Sequence, residues 1–108
     1  MQVKKVLITG GFGFIGKSLI QKLIKNNIEI IIIEHPNSII PKGFENLEIY
    51  KCDITDKNEI DKLSFKNVDA VIHLAAQSSG PRSFHIPYED INLNIFGTLN
   101  IIKICLNN

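Results

Sequence analysis

The run Ile8-Thr9-Gly10-Gly11-Phe12-Gly13-Phe14-Ile15-Gly16-Lys17-Ser18 constrains this chain more than any other segment. A short apolar run, Val6-Leu7-Ile8, stands before it and reads as a strand, and an amphipathic pattern follows it and reads as a helix. Glycines crowded between a strand and a helix make a tight turn. The first N–H groups of the helix, at the positive end of its dipole, then point at whatever anion the turn holds. Two spellings overlap here. Gly10, Gly13 and Gly16 suit a dinucleotide fingerprint: the first makes the turn, the second lets a pyrophosphate approach the backbone, and the third lets the helix pack on the strands. Gly11 to Ser18 also spells G-x-x-x-x-G-K-S, the P-loop of nucleotide triphosphatases. A glycine turn that holds no ligand is the third reading.

The residues between the glycines bear on the choice. In the dinucleotide spacing the helix begins near Gly13, so Phe14 and Ile15 are first-turn residues that can face a core. Ile15, Leu19 and Leu23 then fall at i, i+4 and i+8 with Ile20 and Ile24 beside them, one broad apolar face. In the P-loop spacing Phe12, Phe14 and Ile15 would line a loop wrapped around phosphate, a poor place for bulky apolar groups.

With 108 residues the chain has room for one small domain. Hydrophobic residues make up 44% of it, enough for a core. The formal charge of +1, from 12 basic and 11 acidic residues, gives no footprint for nucleic acid or for a membrane surface. No stretch approaches the roughly 20 apolar residues of a membrane span. Lys4-Lys5 before Val6-Leu7-Ile8 has the order of a signal peptide, but the apolar run is too short and glycines break it. Cys52 and Cys105, the only cysteines, are expected to be reduced and structural, and the chain to be cytoplasmic. His35, His73 and His85 share no metal-ligand spacing with them or with each other, so no metal is expected.

Strands are predicted over residues 3–8, 28–33, 47–50 and 69–74, and helices over 14–25, 56–63 and 88–106. Thr55 is the predicted cap of the second helix. The second strand is nearly all isoleucine, which suits a parallel strand covered on both faces. Alternating strands and helices with right-handed crossovers predict an α/β fold, a doubly wound parallel sheet of the Rossmann type. On the last helix Ile91, Ile95, Leu99 and Ile102 form one apolar stripe, and Leu93, Phe96, Ile101 and Ile104 lie around the other faces. A helix apolar on two sides packs the sheet with one of them and a further element or a second subunit with the other.

Three places at the carboxyl ends of the strands are candidate site residues, because open α/β sheets bind ligands at that edge. Glu34 ends the second strand, where an acid of a dinucleotide fold accepts hydrogen bonds from the adenosine ribose hydroxyls and repels an extra 2′-phosphate. It also stands where a P-loop protein would keep a metal-binding acid. Asp53 closes the third strand. Leu74-Ala75-Ala76 closes the fourth, with small side chains that would let a flat cofactor pass close to the backbone or let a helix pack closely. His73 reads as a histidine tied into hydrogen bonds near the core.

Read in order, Leu7-Ile8-Thr9-Gly10-Gly11-Phe12-Gly13-Phe14-Ile15-Gly16, Glu34, Asp53-Ile54-Thr55-Asp56, His73-Leu74-Ala75-Ala76-Gln77 and Asn94-Ile95-Phe96-Gly97-Thr98-Leu99-Asn100 closely resemble the extended short-chain dehydrogenase/reductase family. Within it they resemble the NAD-dependent epimerases and dehydratases of nucleotide sugars. The resemblance spans essentially the whole chain and makes the P-loop spelling a coincidence of Lys17-Ser18 following the last glycine. It implies that Gly10, Gly13, Phe14, Ile15 and Gly16 cradle the pyrophosphate of NAD, and that Glu34 holds the adenosine ribose. It implies that Asp53 and Ile54 contact the adenine, that Leu74, Ala75, Ala76 and Gln77 line the path to the nicotinamide ribose, and that Asn94 reaches toward the cofactor. Residues 78–83 would lie near a sugar-nucleotide entrance. Members of the family often pair through the last helix, so a homodimer or self-association is expected.

One part of the family pattern is missing. Its catalytic Tyr-x-x-x-Lys pair does not occur: Tyr50 is followed at once by Lys51, and Tyr88 has Asn92 four places on. The expectation is therefore the amino-terminal, cofactor-binding part of a larger enzyme over residues 1–108, cut after about four strands, with no catalytic residue of its own. The parent would be an epimerase/dehydratase working by transient hydride transfer or, alternatively, an NAD(P)-dependent reductase on the same fold. The same residues would also suit a non-catalytic dinucleotide-binding module or, remotely, a P-loop nucleotide triphosphatase.

Overall fold

The computed structural model describes residues 2–76 and 84–107. Four parallel strands, β1 (Lys5–Thr9), β2 (Glu29–Glu34), β3 (Glu48–Lys51) and β4 (Ala70–His73), form one sheet in the order β3-β2-β1-β4. Helix α1 (Phe14–Lys25) joins β1 to β2, and the short α2 (Lys57–Asp61) lies between β3 and β4. The last helix begins as α3 (Pro87–Ile91), runs through a π-helical stretch (Asn92–Gly97) and ends as α4 (Thr98–Asn107). The sequence expectation of a doubly wound α/β sheet holds.

The strands' alternation builds a layer on each face of the sheet. Leu7, Ile31 and Ile33 point to one side and pack with Ile60 of α2, Ile101 and Ile104 of α4, and Cys52, Ile54 and Phe65 of the connecting segments. Val6, Ile8, Ile30 and Ile32 point to the other and pack with Ile20 of α1 and with Phe44. All four isoleucines of β2 are buried, as a strand covered on both faces requires. In register Leu7 lies between Ile31 and Val71, and Thr9 between Ile33 and His73. The carboxyl ends of all four strands therefore finish on one edge.

Four local expectations need correction. The strands begin one or two residues later than predicted, and β1, β2 and β3 also end one residue later, whereas β4 ends one residue earlier. The cap of α2 is Asp56, whose carboxylate accepts from the N–H groups of Asn58 and Glu59; Thr55 instead donates its hydroxyl to Asp53. Phe14 and Ile15 do not face the core: they are 90% and 67% exposed. The helix meets the sheet through Gly16 and Ile20, because a Cβ on Gly16 would run into the backbone of Gly11. That contact turns the preceding residues outward. Finally, Ile104 belongs to the sheet-packing side of α4 with Ile101, while Ile91, Ile95, Phe96, Leu99 and Ile102 are exposed on the outer side.

Among the described residues no helix is long and apolar enough to cross a membrane, and no three His, Cys, Asp or Glu side chains gather as a metal site. Cys52 is buried, and burial pushes its thiol pKa up to about 11, with Glu59 adding to the effect. Cys105 is exposed, so it has no packing role of the kind expected.

Candidate functional site

The glycine turn occupies only the four residues 10–13, since α1 starts at Phe14. Five of the eight residues of the P-loop spelling, 14–18, are thus already helix and leave no long loop to wrap a phosphate. Gly10 has φ of +66°, the left-handed region that favours glycine. A Cβ there would also stand 2.7 Å from the Ala75 nitrogen. Gly10 is required twice over, by its own backbone and by the close passage of β4's end.

Gly13 is different. Its φ is −74°, open to any residue, and a Cβ on it would meet only the Gly10 carbonyl oxygen, at an ordinary 3.5 Å. Nothing in the protein's own packing asks for glycine at this place. It is the N-cap of α1, where no side chain caps the helix and the first turn holds no acid. Free N–H groups and the positive helix end there suit an anion that comes close to the backbone.

Two adjoining cavities lie along the carboxyl edge. One, of about 310 Å3, is lined by Gly10, Gly13, Phe14, Ile15, Gly16, Leu74 and Ala76. The other, of about 270 Å3, includes Gly10, Glu34, Asp53, Ile54, Ala75 and Ala76 in its wall. They share Gly10 and Ala76, so together they form one groove across the ends of the strands. Twelve of the thirteen residues singled out from the sequence are described. Eleven of those line this groove, and Gln77 lies outside the described residues. Asn94 lines neither cavity. It sits half-buried in the π-helical stretch with its amide donating to Asp90.

Each acid in the groove has a fixed geometry. Glu34 is 7% exposed. One carboxylate oxygen accepts from the Phe12 N–H at 3.1 Å and the other from the Ser38 hydroxyl at 2.9 Å. The acid thereby ties the glycine turn to the loop after β2, and Lys51 anchors that loop from β3 by donating to the Ser38 carbonyl. Asp53 accepts from both the hydroxyl and the N–H of Thr55. The Thr55 hydroxyl is the main reason its carboxyl sits below the usual carboxylate range. Its own N–H donates to Glu59.

Sequence reasoning missed Ser38, Thr9, Thr98 and Asn100 as parts of this arrangement. Asn100 is buried on α4 and donates to the Ile54 carbonyl at 2.8 Å, holding the wall of the groove from behind. A lone polar residue three places after Gly97 on the sheet-facing side of an apolar helix was the signal. Thr9 and Thr98 both bond to His73.

The chain resembles a well-populated set of proteins. The pattern of the NAD dependent epimerase/dehydratase family matches residues 6–108. A putative UDP-glucose 4-epimerase of Methanocaldococcus jannaschii is 41% identical over 103 residues, covering 91% of this chain and 32% of that protein. A Thermus thermophilus UDP-glucose 4-epimerase solved in complex with NAD superposes with a TM-score of 0.77 at 30% identity, over 94% of this chain and 33% of its own. The Thermotoga maritima UDP-glucose 4-epimerase solved with UDP-glucose gives a TM-score of 0.82 at 31% identity, over 95% of this chain and 34% of its own. The chain thus spans about a third of the length of the relatives it matches.

Proposed function

The chain belongs to the NAD dependent epimerase/dehydratase family, and from that premise we propose that its groove binds NAD(H) as the cofactor-binding part of a nucleotide-sugar epimerase or dehydratase. The observation that carries this is Gly13: a glycine the fold does not need, at an uncapped helix start, in the wall of the groove. The pyrophosphate lies over Gly10, Gly13 and Gly16 with Phe14 and Ile15 at the rim. The ribose of the adenosine meets Glu34, and the adenine meets Asp53 and Ile54. Leu74, Ala75 and Ala76 floor the way to the nicotinamide, with Gln77 and Asn94 beside it. When bound, NAD supplies the acceptance and return of a hydride. These residues bind and orient; they offer no tyrosine held as a base by a lysine, so proton transfer to or from a sugar hydroxyl is left to residues outside the 108. The sugar nucleotide is likewise positioned elsewhere. A cytoplasmic location accords with an NAD enzyme whose two cysteines are unpaired.

Calorimetric titration tests the reading. NAD(H) is expected to bind weakly and ATP–Mg no better. Gly13→Leu is expected to cost about 1 kcal/mol of stability, since leucine caps a helix less well than glycine, and to weaken NAD at least tenfold. Metal-dependent ATP binding that outcompetes NAD and is lost in Lys17→Ala would overturn the assignment.

We also propose that the chain self-associates. In the observed order β4 pairs only with β1, so its outer edge presents bare N–H and C=O groups among the described residues. The outer stripe of Ile91, Ile95, Phe96, Leu99 and Ile102 adds an exposed apolar flank. Light scattering at micromolar concentration is expected to find dimers or larger species that Ile95→Glu/Leu99→Glu disperses. A well-dispersed monomer would refute it.

A further inference from the structure

His73 ends β4 with both ring nitrogens engaged. Nδ1 lies 2.6 Å from the Thr9 hydroxyl of β1, and Nε2 lies 3.0 Å from the Thr98 hydroxyl at the start of α4. The neighbours of the two hydroxyls settle which way the protons run. The Thr98 hydroxyl donates to the Asn94 carbonyl at 2.7 Å. Its single proton is spent there, so it can only accept from His73, and Nε2 must carry a hydrogen. The Thr9 hydroxyl accepts the Ala75 N–H at 3.2 Å and has its own proton left to donate to Nδ1. The chain of bonds is complete and directed: Ala75 N–H to Thr9, Thr9 to His73, His73 to Thr98, Thr98 to the Asn94 carbonyl. Thr9 is fully buried and none of these side-chain atoms is left without a partner.

We propose that His73 is a positioning residue, held as the neutral Nε2–H tautomer, which locks the Ala75 floor of the groove to the Asn94-bearing stretch of the last helix. This rests on the groove being the cofactor site. The ring touches no cofactor atom in this scheme; it sets the distance between the two walls that would flank the nicotinamide half. An imidazolium would reverse one link. With Nδ1 protonated, the Thr9 hydroxyl would have to accept from both Ala75 and the ring, and its own proton would lose its acceptor. The elements packed on the ring contribute Thr9 from β1 and Asn94 and Thr98 from the last helix. Among the described residues these partners are all uncharged, and burial holds the ring's pKa below the ordinary histidine value.

Nitrogen-15 NMR of the His73 ring in the unsubstituted chain gives the first test and needs no variant. At neutral pH the ring is expected to be neutral, with a protonated Nε2 and a bare Nδ1. A proton on Nδ1, or an imidazolium at pH 7, overturns the proposal. The second test is the NAD affinity from pH 7.5 down to pH 5. It is expected to hold through the ordinary histidine range and to fall several-fold only toward the acid end, where the ring, its pKa lowered by burial, gains its proton. His73→Asn keeps an acceptor toward Thr9 and cannot titrate, so its affinity is expected to be flat over the same range. A fall equally steep in His73→Asn would assign the dependence to another group of the protein and overturn the positioning role. If NAD binds at no pH, the cofactor reading fails while the NMR result still decides the tautomer.

Discussion

Gly10→Ala is expected to lower the melting temperature on the order of 10 °C or more, as a loss near 3 kcal/mol would in a domain of this size. Two independent costs meet at this residue. The backbone sits at φ +66°, where a side chain costs about 1–2 kcal/mol. The new methyl would also stand 2.7 Å from the Ala75 nitrogen and 2.9 Å from the Leu74 carbonyl carbon. Both are main-chain atoms of a segment pinned on its other side through Thr9, whose carbonyl accepts from Leu74 and whose hydroxyl accepts from Ala75. The end of β4 must move, and the sheet edge with it. Thermal melts followed by circular dichroism give the answer. A Gly10→Ala chain that melts with the unsubstituted one would mean that the turn relaxes without disturbing β4.

Glu34→Ala is expected to act on stability and on cofactor choice together. The side chain is nearly buried and holds the Phe12 N–H and the Ser38 hydroxyl. Removing it leaves a partly buried N–H without its acceptor, a loss of about 1–3 kcal/mol. In the cofactor reading the same carboxylate faces the adenosine ribose, where a 2′-phosphate would meet it. Two like charges 4 Å apart repel by roughly 4 kcal/mol at an effective dielectric near 20. NAD is therefore expected to bind at least tenfold more tightly than NADP, and Glu34→Ala to lose most of that ratio. Glu34→Gln keeps an oxygen for Phe12 and removes the charge, so it is expected to lose the ratio while retaining more stability. The measurement is the pair of dissociation constants by calorimetry for each protein. Equal affinity of the unsubstituted chain for the two cofactors would sink the assignment of Glu34.

Much of this was legible in the residues because the signals were redundant. The run Ile30–Ile33 suited a strand covered on both faces, and the glycine spacing agreed with a strand on one side and a helix on the other. The carboxyl-edge positions of Glu34, Asp53 and Leu74–Ala76 followed from strand order alone, and the groove lies along them. The failures were of a different kind. Phe14 and Ile15 matched a helical apolar face, yet the tightest contact, glycine on glycine between residues 16 and 11, took the inward side and turned them out. Apolar periodicity gives no weight to a residue without a side chain. Thr55 and Asp56 are both good caps, and the choice fell on Asp56 because the Thr55 hydroxyl is taken by Asp53. The threonine–histidine–threonine chain depends on atoms brought together from three elements, and no local spacing announces it. The last helix misled for a related reason, since its period changes midway.

That change of period has a simple arithmetic. A π-helical stretch closes its hydrogen bonds one residue farther along than an α-helix does. The six residues Asn92–Gly97 therefore take up one more residue than α-helical turns of the same rotation would use. The two flanks of the last helix keep the angular relation they would have in a regular helix shorter by one. The stretch is thus a stored insertion. Loss of one residue within it is expected to convert it to α-helix and to leave Ile101 and Ile104 on the sheet with α3 undisturbed. Loss of one residue within α4 turns everything beyond it by about 100° around the axis. A one-residue loss from the last helix is thus absorbed within residues 92–97 and not within α4.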